Sequence, residues 1–169
     1  MNLKMTIPDS DQRLASVEEH TRGTIRTLFE FLHAQGQGDY LGEMVTQLEH
    51  SLQCAHLAAQ SAEYGNDPEV ILAALLHDVG RFIPAAEKMG KMVTFDGQYI
   101  GRQSHEVIGE GYLRQIGFSE KVCKLVGAHV MAKRYLVATD KGYHDELSET
   151  SKRTLKFQVC YNILWFAEY

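Results

Sequence analysis

The sequence predicts an all-α protein. Prolines are few, 3 against 14 glycines. No segment alternates polar and apolar residues as a half-buried strand does, and apolar residues recur at helical spacing along most of the chain. With 169 residues and 44% hydrophobic content, the chain has the size of one compact domain and is too apolar for a disordered one.

Several classes are excluded early. A net charge of -5 and the lack of any long Lys/Arg run argue against a nucleic-acid partner. No apolar stretch is long enough for a membrane span, and MNLKMTIPDSDQR has no apolar leader core, so a cytoplasmic protein is expected. Cys54, Cys123 and Cys160 are far apart and odd in number, which fits a reducing compartment. No Cys-x-x-Cys pair points to a structural zinc site. No internal repeat is visible.

Residues 11–34 predict one amphipathic helix with Leu14, Val17, Ile25, Leu28, Phe29 and Leu32 as its apolar set. Residues 1–37 are read as a helical extension packed on a domain covering 38–169. A second helix spans 41–64. Gly65-Asn66-Asp67-Pro68 stops it and starts a third, 68–79, with Asp67 as cap and Pro68 in the first turn. Val70 to Leu76 are apolar on every side, so this helix should be central and buried. Residues 88–101, with three glycines, read as a loop. Ser104 caps a helix to Ile116, Ser119-Glu120 starts one to about Tyr135, 138–150 is a polar loop, and a last helix begins near Ser148 or Ser151.

His77-Asp78 ends the most apolar helix, where a buried charge is costly unless paired or bound to metal. His105 shares a face with Ile108 and Tyr112, and His129 follows Val122, Leu125 and Val126 at helical spacing, so both point inward. One inward histidine is commonly a satisfied core residue. Three with an aspartate are better explained by iron, manganese or zinc. The second helix offers two further candidates. His56 lies on the stripe Leu41, Val45, Leu48, Leu52, Ala55, Ala59; His50 lies on a face with Glu43, Gln47, Cys54 and Leu57. Periodicity favours burial of His56, whereas the polar face of His50 suits a cleft wall. Lys133, one turn after His129, is a candidate anion anchor. His20, His33 and His144 have no partner pattern and read as surface or loop residues.

The series His50, His77-Asp78, His105, His129 resembles the dinuclear branch of the HD-domain superfamily. The strings Tyr40-Leu-Gly-Glu43 before His50, Ala73-Ala-Leu-Leu-His77-Asp78-Val-Gly, and His129-Val-Met-Ala-Lys133-Arg-Tyr-Leu resemble the mixed-valence diiron oxygenases that cleave the carbon–phosphorus bond of hydroxylated aminoethylphosphonates, relatives of myo-inositol oxygenase. The resemblance runs from about residue 38 to 158. It implies an HD-domain helical bundle around a dinuclear metal site. His50 and His77 would bind one iron, His105 and His129 the other, and Asp78 would bridge them. It selects His50 over His56, which becomes a core histidine. Tyr40 and Glu43 would form a lid, and Lys133 and Ser151 would hold the phosphonate oxygens.

Two departures stand out. The family's His-Asp-Ile-Gly-His has Arg81 in place of its last histidine, at a position close to the substrate that bears on which substrate is taken. The family also continues past Phe157-Gln158 with a Gly-Gly turn and a helix bearing a final Asp ligand. Here Val159 to Tyr169 reads otherwise, as truncation or divergence, and Asp140 and Asp145 come too early to replace it. On that reading the first metal is one carboxylate short, the condition under which activity would be impaired.

The function expected is therefore O2-dependent C–P cleavage of a hydroxylated aminoalkylphosphonate with two iron ions (Fe2+/Fe3+), or Mn2+ or another divalent metal. A metal-dependent phosphohydrolase acting on a phosphate ester or nucleotide is the first alternative. An inactive helical module is the second. The partners implied are a small phosphonate or phosphate and O2; the sequence gives no oligomeric state.

Overall fold

The computed structural model describes residues 10–40, 44–93, 97 and 99–158, with the Ile100 side chain left aside. In chain order the elements are α1 (Ser10–Gln35), α2 (Gln47–Gln60), α3 (Pro68–Leu76), two 3-10 turns (Val79–Arg81 and Pro84–Lys88), β1 (Lys91–Val93), β2 (Tyr99–Arg102), α4 (His105–Gln115), α5 (Glu120–Thr139), α6 (Lys141–Glu146) and α7 (Glu149–Phe157). The fold is all-α apart from one two-stranded ribbon. Among the described residues no helix is long and apolar enough to cross a membrane.

Local chemistry explains most helix starts. Thr46 and Glu49 form a reciprocal capping box at α2, each satisfying the other's backbone N–H. The Asp67 carboxylate accepts from Glu69 and Val70 N–H at α3, with Pro68 in the first turn. Ser119 caps α5, and Ser148, rather than Ser151, caps α7.

Elsewhere the structure corrects the expectations. The 88–101 segment holds the antiparallel β1–β2 ribbon, pairing Lys91 with Arg102 and Val93 with Tyr99. Strands of three and four residues carry too little pattern to be seen in sequence, and cross-strand pairing decides them. The 138–150 segment contains α6, which Asp140 caps through Gly142 and Tyr143 N–H. Ser104 precedes α4 in a left-handed conformation (φ 54°), and its side chain makes no cap bond.

The core gathers Leu28 and Leu32 of α1, Ala73 and Leu76 of α3, Val79, Ile83, Leu113 of α4, and Val122, Cys123 and Val126 of α5. Each fully buried aliphatic side chain contributes about 1.5–3 kcal/mol. Only the second half of α1 takes part: Leu14 and Val17 stay exposed. α3 packs against α2 and α5, but only Ala73 and Leu76 of its apolar run are fully buried. The face of α2 is the larger surprise. Ser51 and Gln47 are buried, whereas Leu52, Leu57 and His56 are exposed. His56 is therefore not a core histidine.

α3 ends at Leu76, and the chain turns tightly through Val79–Arg81 beneath α4. Gly80 makes this approach feasible: a Cβ there would stand 1.9 Å from the His105 carbonyl oxygen and 2.8 Å from the Gly109 nitrogen. Both obstacles are backbone and cannot rotate away. Gly80→Ala is expected to destabilise the protein by about 3 kcal/mol or more in urea unfolding, the range of severe overpacking. A loss under about 1 kcal/mol would mean the contact is loose.

Candidate metal centre

Four imidazoles, three of them on helices, and one carboxylate converge where α2, the end of α3, α4 and α5 meet. α2 supplies His50, and the turn after α3 supplies His77 and Asp78. His105 comes from the first turn of α4, and His129 from the middle of α5. His50 Nε2 and His77 Nε2 are 3.1 Å apart. His105 Nε2 and His129 Nε2 are also 3.1 Å apart. Asp78 lies between the pairs. Its Oδ2 is 3.5 Å from His77 Nε2, and its Oδ1 is 3.1 Å from His105 Nε2 and 3.7 Å from His129 Nε2.

The proton inventory shows what this arrangement suits. A carbonyl oxygen can only accept, so a ring nitrogen bonded to one must carry the hydrogen. His77 Nδ1 donates to the Ala74 carbonyl at 2.7 Å, His129 Nδ1 to that of Val126 at 2.7 Å, and His105 Nδ1 to that of Arg102 at 3.3 Å. With that proton on Nδ1, the neutral ring presents a lone pair at Nε2. His105 and His129 thus turn lone pair to lone pair, His77 turns its own toward His50 Nε2, and all of them lie around a carboxylate that is 1% exposed. The Arg81 guanidinium pairs with Oδ1 at 3.0 Å, yet neither Asp78 oxygen has a well-aligned hydrogen-bond partner among the described residues. A cation satisfies such a set of acceptors, and fixing the tautomer through Nδ1 is how metal-binding histidines are held. The residues fit metal ions in two groups, His50/Cys54/His77 and Asp78/His105/His129.

The electrostatics agree. Burial pushes the His50 imidazole down to about 4 and that of His129 to about 3, against a smaller opposing pull from Asp78. Burial works to raise the Asp78 pKa, but the Arg81 guanidinium, followed by His77 and His105, holds the carboxyl well below its usual range. Burial also lowers Lys133 and pushes the Cys54 thiol up to about 11.

The flanking residues divide. Tyr40, 8% exposed, stacks on His50 with ring centroids 3.8 Å apart and planes 15° apart. Arg81 places Nε 3.0 Å from Asp78 Oδ1 and its guanidinium carbon 5.4 Å from the Tyr40 ring centre. Lys133 is partly buried on α5, one turn past His129, within the electrostatic reach of Arg81 and Asp78. Ser151 sits in the first turn of α7; its N–H bonds to the Ser148 hydroxyl and its carbonyl accepts from Thr154, both local contacts. Glu43 lies outside the described residues. His20 and His33 are exposed on α1, and His144 faces Asp145 on α6. Sequence reasoning placed Cys54 on the His50 face but did not read it as a ligand, and its Sγ is 3.7 Å from His50 Nε2. The signal was there: His50-x-x-x-Cys54 puts both on one helix face.

A family model described as HD domain matches residues 48–153. The chain belongs to the HD-domain family. Among curated proteins, this HD domain is 41% identical over 124 residues to the [1-hydroxy-2-(trimethylamino)ethyl]phosphonate dioxygenase (glycine-betaine-forming) of Leisingera caerulea. It is 38% identical over 135 residues to the hydroxymethylphosphonate dioxygenase of Gimesia maris. It is 39% identical over 134 residues to an uncharacterized protein of Acanthamoeba polyphaga mimivirus. These matches cover 73–79% of this chain and 58–62% of the relatives' own lengths. The family and the donor set together imply metal ions.

Neutral buried imidazoles make the metal-free protein acid-sensitive. An unfolded histidine takes up its proton near the ordinary 6.5, whereas folded His50 and His129 refuse it until about 4 and about 3. The unfolded state therefore binds more protons in this window, and stability falls with pH. Metal-free protein is expected to keep a level unfolding free energy above pH 6.5 and lose it progressively toward pH 4, with a shallower slope in His129→Gln. An identical slope in the variant would contradict the assignment.

Proposed function

We propose that this HD domain holds two metal ions, iron as the Fe2+/Fe3+ pair, and uses O2 to cleave the carbon–phosphorus bond of a 1-hydroxyalkylphosphonate, the class that includes the hydroxylated aminoalkylphosphonates. The observation that carries this is the two pairs of imidazole Nε2 atoms gathered on either side of one buried carboxylate. His50 and His77 would hold one ion, His105 and His129 the other, with Asp78 between them. The names of two relatives support the reaction class. The overall change balances without water: R–CH(OH)–PO3H2 and O2 become R–COOH and H3PO4, so the carbon is oxidised, O2 is reduced and the C–P bond is lost.

When bound, the metal ions supply Lewis acidity toward the substrate's oxygens and the redox capacity to activate O2. The rest falls to this chain's own side chains. The Lys133 ammonium, with part of its hydration removed, offers a charge-assisted hydrogen bond to a phosphonate oxygen, and the Ser151 hydroxyl is assigned as a second donor. The Arg81 guanidinium pairs with Asp78 through Nε and has Nη1 buried without a hydrogen-bond partner among the described residues. Tyr40 covers His50 and keeps water from that flank, and Glu43 would share the lid role.

The test is O2 consumption with phosphate release by the iron-loaded full chain on hydroxymethylphosphonate, 2-amino-1-hydroxyethylphosphonate and its trimethylammonium analogue. One phosphate per O2 is expected with at least one substrate. Phosphate release from phosphate esters or nucleotides under nitrogen with Mn2+ would favour the phosphohydrolase instead. No turnover with metal bound would leave the inactive module.

Two variants probe the anion site. Lys133→Ala is expected to raise KM for the phosphonate about 10–100-fold with a smaller change in kcat, the loss of one charged hydrogen bond of about 1.5–3 kcal/mol. Unchanged KM would remove Lys133 from the site. Arg81→His is expected to raise kcat/KM for the ammonium-bearing substrates relative to hydroxymethylphosphonate, because the guanidinium repels a second cation. An unchanged ratio would place Arg81 away from the substrate.

A further inference from the structure

Among the described residues the two halves of the centre differ in their anionic donors. Around His105 and His129 the anion is Asp78 Oδ1. Around His50 and His77, Asp78 presents only Oδ2, 3.5 Å from His77 Nε2, and this carboxylate is shared with the other half. A dication held by two neutral imidazoles and half a carboxylate retains most of its charge in a buried place, which is unfavourable. Cys54 stands beside this half and would supply it with an anionic donor of its own.

The distances suit coordination. Donors bound at about 2.0–2.3 Å in a tetrahedron lie about 3.3–3.7 Å from one another. His50 Nε2 and His77 Nε2 are 3.1 Å apart, Cys54 Sγ and His50 Nε2 3.7 Å, and Asp78 Oδ2 and His77 Nε2 3.5 Å. Cys54 Sγ and one ring nitrogen from each of His50 and His77 all lie within 4.8 Å of one another. The helix explains the placement: residues 50 and 54 are one turn apart on α2 and turn the same face to His77. A second observation points to a cation here independently of the thiol. Asp78 is 1% exposed, and Oδ2, aimed at His77, has no hydrogen-bond partner among the described residues.

We propose that Cys54 is a ligand of the metal ion held by His50 and His77, so that this half is a two-histidine, one-thiolate site completed by Asp78. The inference rests on the two-metal reading above. Coordination breaks the S–H bond, forms the S–metal bond and releases one proton to solvent. A thiolate donor makes this half softer than its neighbour and suits it to iron, cobalt or zinc rather than to magnesium or calcium. The chain would then carry two inequivalent ions with different affinities.

Cobalt reads the thiolate directly. Metal-free full chain is titrated with Co2+ and followed in the visible, where ligand-field bands report binding, and in the near ultraviolet, where a thiolate-to-cobalt charge-transfer band reports sulfur ligation. The band is expected in the parent chain and in a variant carrying Cys123→Ala and Cys160→Ala. It is expected to vanish in Cys54→Ser and in Cys54→Asp. Cys54→Ser should also bind one cobalt equivalent at least tenfold more weakly, and Cys54→Asp should recover part of that affinity. Circular dichroism checks that the variants fold, and Cys54→Asp guards against a trivial loss of structure in the serine variant. Cobalt binding without the charge-transfer band would overturn the proposal, as would a band that survives in Cys54→Ser or no cobalt binding at all. A normal band in a chain whose iron form releases no phosphate would sink the C–P cleavage reading and leave the Cys54 ligand standing.

Discussion

The arrangement of this molecule follows from one electrostatic constraint: a fully buried carboxylate, Asp78, that is balanced by the Arg81 guanidinium on one flank and surrounded by imidazole nitrogens on the others. Such a group costs several kcal/mol when left alone. The fold nevertheless converges on it from α2, the end of α3, α4 and α5. Backbone carbonyls of Ala74, Arg102 and Val126 take up the Nδ1 protons and leave the Nε2 atoms turned inward. Each feature that makes the centre unfavourable in isolation makes it receptive to cations. The burial that keeps His50 and His129 unprotonated near neutral pH leaves their ring nitrogens free to bind metal.

The apolar core serves this placement. Leu76 and Val79 anchor the two sides of the His77-Asp78 step, and Val122 and Val126 anchor the α5 face on which His129 rides. The Gly80 approach to Gly109 lets the turn slide under α4, so that Asp78 reaches His105. Binding of ions would return part of the stability that the empty acceptor set costs, because ligands that prefer the folded state stabilise it by mass action. Around this centre the positive charges of Arg81 and Lys133 stand on flanks where an anionic substrate would meet them.

Local signals in the sequence were legible and the long-range ones were not. Asp67-Pro68 and Ser119 marked helix starts correctly because a cap depends on a few neighbouring residues. The inward histidines of α4 and α5 were readable from their apolar neighbours. The α2 face was not. Periodicity placed Leu52 and His56 inside, yet the buried side carries Gln47 and Ser51 beside the half-buried His50 and Cys54. A helix that walls a polar centre buries its polar face, which inverts the rule that periodicity uses. Family resemblance selected His50 where the pattern alone did not, yet it made His56 a core residue, and that residue is exposed. The β1–β2 ribbon depends on cross-strand pairing, and strands this short carry no pattern that announces it.

The most direct measurement is anomalous X-ray diffraction from crystals grown with iron, recorded on both sides of the iron edge. The account requires two peaks per chain, about 3.5–4 Å apart, one beside His50 and His77, the other beside His105 and His129, with the Asp78 carboxylate between them. A single peak, or iron located away from Asp78, would contradict it.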